Sequence, residues 1–284
     1  MSILRLLSHI HKGPIIGNIL KKNIKDYKIS DIRRFRKTQR IAIEGAKEIS
    51  RIMRPGITEK EAANLLDTYL KDHGVKNFLH YSFAWFGNRT RFDECKNYLD
   101  YLPSERKLKK NDVVILDTAP VLEGYPGDIG YSFCLEKNPA FDKAIVNLSY
   151  FREKIRSLFE QKGITGAEIY KIIDSEIKDL NYDNIHSKYP LGILGHRMHP
   201  MPYENFPAIL KPFSWQAYWS ILSKGFATET LGDYHESDLD GLWAIEPHLG
   251  DKGFGVKFEE MLWVKNGKAE WIEEKNFYES TKTA

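Results

Sequence analysis

The sequence has few cysteines, no long apolar run and no strong excess of one charge. Its two cysteines, Cys95 and Cys134, are too few for a disulfide scaffold and are not spaced as a metal-binding or redox pair. No apolar run approaches the about 20 residues that a helix needs to span a bilayer. These absences favour a cytoplasmic protein without a transmembrane segment.

The charge balance argues against a nucleic-acid partner. The net charge is +3 with 29% charged residues, and no block of lysine and arginine is interleaved with aromatic residues. With 42% hydrophobic residues in 284, the chain can bury one good core. We therefore expect one domain over residues 30–284, preceded by an N-terminal arm over residues 1–29. The arm is interpreted as packing on the domain or on a partner subunit, and a membrane-surface or targeting segment is the alternative.

The order of predicted elements is typical of an α+β fold. A long helix with Ser30-Asp31 as its cap should end at Pro55-Gly56, and Thr58 with Glu61 forms the capping-box pattern of a second helix. A hairpin follows, with further helices after it. Strand-like pieces return near residues 191–199, 225–229, 242–246 and 256–264.

Four carboxylates and one histidine stand in or beside short apolar, strand-like runs. They are Asp117, Asp128, His196, Glu246 and Glu259. An unpaired charge is costly to bury in such a run, and four buried carboxylates repel one another unless cations neutralise them. The set therefore predicts a site for two metal ions.

The spacing of the carboxylates supports this prediction. Asp117 and Asp128 are eleven residues apart on the two arms of one hairpin, and Glu246 and Glu259 bracket a second turn over His248–Gly255. Oxygen-rich ligation with one imidazole suits manganese, and equally iron, cobalt or zinc. Two such ions about 3.5–4 Å apart generate a bridging hydroxide and polarise a carbonyl, which is the chemistry of hydrolysis.

The motifs around these residues resemble those of the pita-bread metallopeptidases, which include methionine aminopeptidase, aminopeptidase P, prolidase and creatinase. The resemblance covers roughly residues 32–275, and its sharpest parts are the Asp117/Asp128 hairpin and Ile245-Glu246-Pro247. Gly195-His196, and Glu259 followed by Leu-x-Val and Asn-Gly, complete the pattern. With only an arm before the first family helix, the chain is most similar to a one-domain, aminopeptidase P-like member.

The resemblance implies a curved antiparallel sheet wrapped by helices, built from two pseudo-symmetric halves. It also implies that Asp117, Asp128, His196, Glu246 and Glu259 hold the metals, with Glu259 preferred over Glu260 because it lies five residues before Val264. By the same analogy, Glu246 would move the proton from the attacking water to the leaving amine.

Two family histidines are not where the pattern puts them. The first would lie near Lys96–Leu99, and His80 is the nearby histidine that could replace it. The second would fall at Tyr203, seven residues after His196. His199 and Arg197 stand where the family usually has small residues. Tyr203, His199 or Arg197 could therefore donate a hydrogen bond to a developing oxyanion, and Arg197 and Asn88 are also candidates for substrate binding.

The sequence thus predicts a two-metal aminopeptidase of the Xaa-Pro type, acting in the cytoplasm on a peptide or small amide. Manganese is the first choice of ion, and a homodimer is left open. Two alternatives remain: a hydrolase of a small non-peptide C–N bond on the creatinase-like fold, and a non-catalytic binding module of the same fold.

Overall fold

The computed structural model describes residues 27–189, 191–201, 209–210, 213–214 and 226–278. The predicted N-terminal arm lies outside the described residues except at its last three positions. None of the helices that the structure describes is long and apolar enough to cross a membrane. Cys95 and Cys134 are both free thiols.

The helices follow the sequence prediction closely. They are α1 (Ile29–Ile52), α2 (Glu59–Asp72), α3 (Pro139–Phe159), α4 (Gly166–Asp179) and the short α5 (Phe226–Glu229). The Thr58/Glu61 capping box at the start of α2 is present as predicted.

Two boundary predictions were wrong. The N-cap of α1 is Lys28 rather than Ser30 or Asp31, because the Asp31 carboxylate lies in the first turn and accepts a hydrogen bond from the Lys28 backbone N–H. The segment 225–229, expected as a strand, is largely α5, and the strand follows it at Thr230–Leu231.

All the paired strands that the structure describes are antiparallel. The strands of the first part of the chain are β1 (Asn77–Phe86), β2 (Val113–Leu122), β3 (Tyr125–Pro126) and β4 (Ile129–Cys134). Those of the second part are β5 (Asp183–Asn184), β6 (Gly195–Arg197), β7 (Ile209–Leu210), β8 (Phe213–Ser214), β9 (Thr230–Leu231), β10 (Gly241–Ile245), β11 (His248–Asp251), β12 (Phe254–Lys265) and β13 (Lys268–Trp271). The main path of the sheet runs β7-β8-β1-β2-β4-β12-β10-β6-β9.

The sheet is built from two similar halves. Helices α1 and α2 with β1, β2 and β4 form one half, and α3 and α4 with β6, β10 and β12 form the other. The halves meet where β4 pairs with β12. This arrangement agrees with the α+β prediction and places the two hairpins side by side at the centre of the sheet.

Strand alternation separates the core from the predicted site. Leu116, Ile245 and Phe258 are buried in the main hydrophobic core together with residues of the helices. Because neighbouring residues of a strand point to opposite faces, Asp117 and Glu259 project from the other face of the sheet. The site therefore lies across the sheet from the helices.

Candidate metal centre

The five predicted ligands converge at the join between the two halves. Asp117 on β2 and Glu259 on β12 are both register partners of Gly130 on β4, the strand between them. Asp128 directly precedes β4, and Glu246 directly follows β10. The carboxylates are 1–6% exposed. Four carboxylates buried this closely require compensating positive charge.

Three of these residues form a donor group that fits one divalent cation. The Asp128, His196 and Glu259 ligand atoms all lie within 4.8 Å of one another, with His196 Nε2 at 3.3 Å from Asp128 Oδ2 and 3.7 Å from Glu259 Oε1. Asp128 Oδ1 is buried without a hydrogen-bond partner among the described residues, and His80 Nε2 is 3.7 Å away. A buried carboxylate oxygen left in this state is costly, and a bound cation would satisfy it.

A lysine that the sequence reasoning missed lies among the other oxygens. Lys257 Nζ donates hydrogen bonds to Asp117 Oδ2 at 2.7 Å, Glu246 Oε2 at 2.8 Å and Glu259 Oε2 at 2.9 Å. The residue is 2% exposed. Its position on β12, two residues before Glu259 and hence on the same face, was the available signal.

The structure around Lys257 holds the side chain in place. A Cβ atom added at Gly130 would lie 2.6 Å from the Lys257 Cε, so the glycine makes room for the lysine stem. The Lys257 backbone exchanges hydrogen bonds with Ser132 Oγ at 2.8 and 2.9 Å and accepts one from the Tyr278 hydroxyl at 2.9 Å. Lys257 Nζ also lies 5.4 Å from the centre of the Tyr189 ring.

The electrostatics of the cluster reflect three carboxylates facing one ammonium. Burial raises the pKa of Asp117, and burial together with the Glu259 charge raises the pKa of Glu246 to about 8. Burial opposes the charged form of Lys257, but Asp117, Glu246 and Glu259 outweigh it and hold the Lys257 pKa well above its ordinary value. One ammonium therefore does not fully stabilise three buried carboxylates, and protonation of Asp117 and Glu246 becomes easier than in water.

His80 reaches the centre from β1. It pairs in register with Ala119, two residues along β2 from Asp117, and its Nε2 lies 3.6 Å from Asp117 Oδ1. Burial lowers the pKa of His80, but Asp128 and Asp117 outweigh it and raise the pKa to about 9. The structure thus places His80 beside the predicted ligands, although it lies 37 residues before Asp117 in the sequence.

His199 is placed in a different set of contacts. Its Nε2 lies 2.5 Å from Glu229 Oε2, and its Nδ1 lies 3.0 Å from the Tyr27 hydroxyl. These contacts connect the segment after β6 to the end of α5 and to the start of α1. The oxyanion-binding role predicted for His199 stays a prediction.

Arg197 faces away from His196, its neighbour on β6. Its guanidinium donates to the backbone carbonyls of Thr228, Asp238 and Asp240 and stacks over the Trp243 ring with its Cζ 4.2 Å from the ring centre. Its contacts fix the loop before β10, and this placement does not support the predicted oxyanion-binding or substrate-binding role.

The two remaining candidates are not part of the described cluster. Asn88 is exposed on a short 3₁₀ helix over Gly87–Arg91. Tyr203 lies outside the described residues. Glu260, the alternative to Glu259, points to the other face of β12, where it pairs with Arg152.

The family of the chain follows from its sequence. Residues 33–266 match metallopeptidase family M24, and the chain belongs to this family. The predicted pita-bread resemblance is thereby confirmed.

Three relatives illustrate the similarity. An uncharacterised peptidase of Methanocaldococcus jannaschii is 29% identical over 140 residues, which are 49% of this chain and 36% of that protein. A methionine aminopeptidase of Archaeoglobus fulgidus is 23% identical over 199 residues, 69% of this chain and 64% of that protein. The crystal structure of an X-Pro aminopeptidase from Thermotoga maritima superposes with a TM-score of 0.67 at 17% identity, covering 92% of this chain and 65% of that one.

The structural likeness confirms the predicted fold class. The chain spans 36%, 64% and 65% of the lengths of these three proteins.

Proposed function

We propose that the protein is a metal-dependent aminopeptidase that hydrolyses the N-terminal bond of peptides, with a preference of the Xaa-Pro type. The observation that carries this proposal is the donor group of Asp128, His196 and Glu259, in which Asp128 Oδ1 is buried without a hydrogen-bond partner among the described residues, placed at the centre of an M24 fold. The relatives named as X-Pro aminopeptidase and methionine aminopeptidase support the reaction class.

A divalent cation bound by these residues would lower the pKa of a water molecule and polarise a substrate carbonyl. Glu246 suits proton transfer beside it, because a carboxyl group with a pKa of about 8 can accept and release a proton near neutral pH. His80 is directed at the same centre and supplies an imidazole N–H that can orient the scissile carbonyl. In this proposal His80 takes the role of the family histidine missing near residues 96–99.

The missing histidine also argues against methionine specificity, which leaves the Xaa-Pro type as the preferred substrate. Manganese as the ion, a cytoplasmic location and a homodimer stay predictions of the sequence. The number of ions is a separate question, because Lys257 contacts three of the predicted ligands.

The test is a peptide screen with and without Mn²⁺. Peptides beginning Ala-Pro, Met-Ala and Ala-Ala, each with a free and an acetylated N-terminus, are incubated with the purified protein, and products are separated by chromatography. We expect cleavage of the free Ala-Pro peptide alone, abolished by chelator and restored by Mn²⁺. Cleavage of acetylated peptides would contradict an aminopeptidase, and faster cleavage of Met-Ala would contradict the Xaa-Pro preference.

One observation favours a second candidate, the non-catalytic module. Lys257 neutralises part of the cluster without any metal, so buried carboxylates alone do not require an ion. A non-catalytic module predicts no Mn²⁺ binding and no cleavage of any peptide in the screen. Mn²⁺ binding with cleavage supports the enzyme instead.

A further inference from the structure

We propose that Lys257 takes the place of one of the two metal ions predicted from the sequence, so that the centre binds a single divalent cation between Asp128, His196 and Glu259. The inference rests on the proposed function in one respect, namely that this centre binds metal. It concerns the number of ions and not the reaction that they support.

The Lys257 ammonium occupies the position that one of the two predicted metal ions would need. An ammonium group has three N–H donors, and Lys257 directs them at oxygens of Asp117, Glu246 and Glu259 that lie 2.7–2.9 Å from Nζ. A metal ion bound to the same three oxygens would lie at the position of the ammonium. Two cations cannot share this position, because they would overlap and repel each other at short range in a buried site.

The lysine is also built into the site. Gly130 leaves space for its stem, and the backbone of Lys257 is held by Ser132 and Tyr278. A buried side chain at 2% exposure has no solvent-facing position to which it could move without repacking its neighbours. Displacement of Lys257 by a metal ion would therefore require rearrangement of β4 against β12.

The oxygens that Lys257 leaves unused define the remaining site. Lys257 contacts Oε2 of Glu259, whereas Oε1 of the same carboxylate faces His196 Nε2 at 3.7 Å. Asp128 accepts no hydrogen bond from Lys257 among the contacts described, and its Oδ1 has no hydrogen-bond partner there. Glu259 is thus shared between the ammonium and the proposed single ion, while Asp117 and Glu246 each accept a hydrogen bond from Lys257.

The experiment counts Mn²⁺ ions in the full-length protein by equilibrium dialysis and examines their coupling by electron paramagnetic resonance. We expect about one Mn²⁺ per chain with the spectrum of an isolated ion in the natural protein. The Lys257→Met variant should bind about two ions with an exchange-coupled spectrum, since the oxygens released by Lys257 become ligands. Lys257→Gln is the second variant, refolded with Mn²⁺ present, if Lys257→Met does not fold.

Lys265→Met is the matched control, because Lys265 is an exposed lysine on the same strand. It should leave the Mn²⁺ count unchanged. Two coupled ions in the natural protein would overturn the inference and leave the proposed function standing. A single ion in both the natural protein and the Lys257 variants would overturn the role of Lys257. No Mn²⁺ in any of these proteins would instead overturn the metal dependence of the proposed function, and the inference with it.

Discussion

Two buried ion-pair clusters lie on opposite faces of β12, and they differ in charge balance. Glu260 faces Arg152, whose guanidinium donates to both carboxylate oxygens at 3.0–3.1 Å and also to the Glu273 carbonyl at 2.6 Å. On the other face, Glu259 shares one ammonium, that of Lys257, with two further carboxylates. The first cluster has one buried guanidinium for one buried carboxyl group, and the second has one ammonium for three buried carboxyl groups, with the His80 and His196 imidazoles beside them.

The difference separates a structural contact from a functional site. Arg152 and Glu260 satisfy each other, so nothing in that pair calls for an additional ligand. The Lys257 cluster has more carboxyl groups than ammonium groups, and Asp128 beside it has an oxygen without a hydrogen-bond partner in the described part of the chain. A buried cluster with surplus carboxylates is a place where a cation can bind.

The largest effect is expected from Asp128→Asn, which removes one carboxylate charge from the proposed metal centre. Mn²⁺ binding and peptidase activity should both be lost, because the proposed ion loses a charged ligand. The free energy of unfolding of the metal-free protein should also fall, because His196 and His80 pair with the Asp128 carboxylate and hold its pKa below its ordinary value. Equilibrium dialysis, peptide hydrolysis and urea denaturation measure the three quantities.

Asp142→Asn is the control for this variant, because Asp142 is an exposed aspartate on α3. It should change none of the three quantities. Full Mn²⁺ binding by Asp128→Asn would remove Asp128 from the set of ligands.

The second-largest effect is expected from Glu260→Gln, which removes the carboxylate that pairs with Arg152. The free energy of unfolding should fall by up to about 3 kcal/mol, because the buried Arg152 charge keeps only the exposed Glu153 carboxylate and the Glu273 carbonyl as partners. The Mn²⁺ count per folded chain should stay the same, since Glu260 is directed away from the metal centre. Urea denaturation and dialysis of the same preparation test both statements.

The double variant Arg152→Met/Glu260→Met sharpens this result. Replacing both charges by apolar side chains should restore most of the stability, because no charge remains buried alone. A double variant less stable than Glu260→Gln would show that the Arg152–Glu260 ion pair adds stability of its own. It would contradict the view that only an unpaired buried charge is costly.

The smallest effect concerns pH and a histidine near Lys257. Burial lowers the pKa of His186 to about 3, with the Lys257 charge adding to the effect and Asp174 opposing it. In the unfolded chain a histidine titrates near about 6.5, so below that pH the unfolded state binds more protons. Stability should therefore decrease as the pH falls below about 6.5, by up to about 1.4 kcal/mol per pH unit from this residue.

His186→Gln should remove that contribution, and urea denaturation between about pH 7 and pH 5 measures it. His73→Gln is the control, because His73 is exposed at the end of α2. Stability curves of His186→Gln and the natural protein that run parallel over this range would show that His186 does not stay neutral in the folded state.

Much of the centre was predictable from the sequence, because it depends on short-range patterns. The alternation of side chains along a strand separates Glu259 from Glu260, and the family resemblance, which implies a ligand five residues before Val264, favours Glu259. The Thr58/Glu61 capping box and the Asp117/Asp128 hairpin are likewise local, since hydrogen bonds within a turn or between adjacent strands determine them.

The contacts between distant strands were decided by the tertiary structure. His80 reaches Asp117 because β1 pairs with β2 through two register irregularities, which no spacing along the chain encodes. Arg197 is engaged by carbonyls more than 30 residues away, at Thr228 and beyond. Lys257 meets Glu246 because β10 pairs with β12, and it meets Asp117 because β12 lies beside β4, where a glycine at position 130 leaves room for its side chain. The sequence alone showed which residues share a strand face, whereas the pairing of strands determined which charges neutralise one another, since Coulomb interactions depend on distance in space.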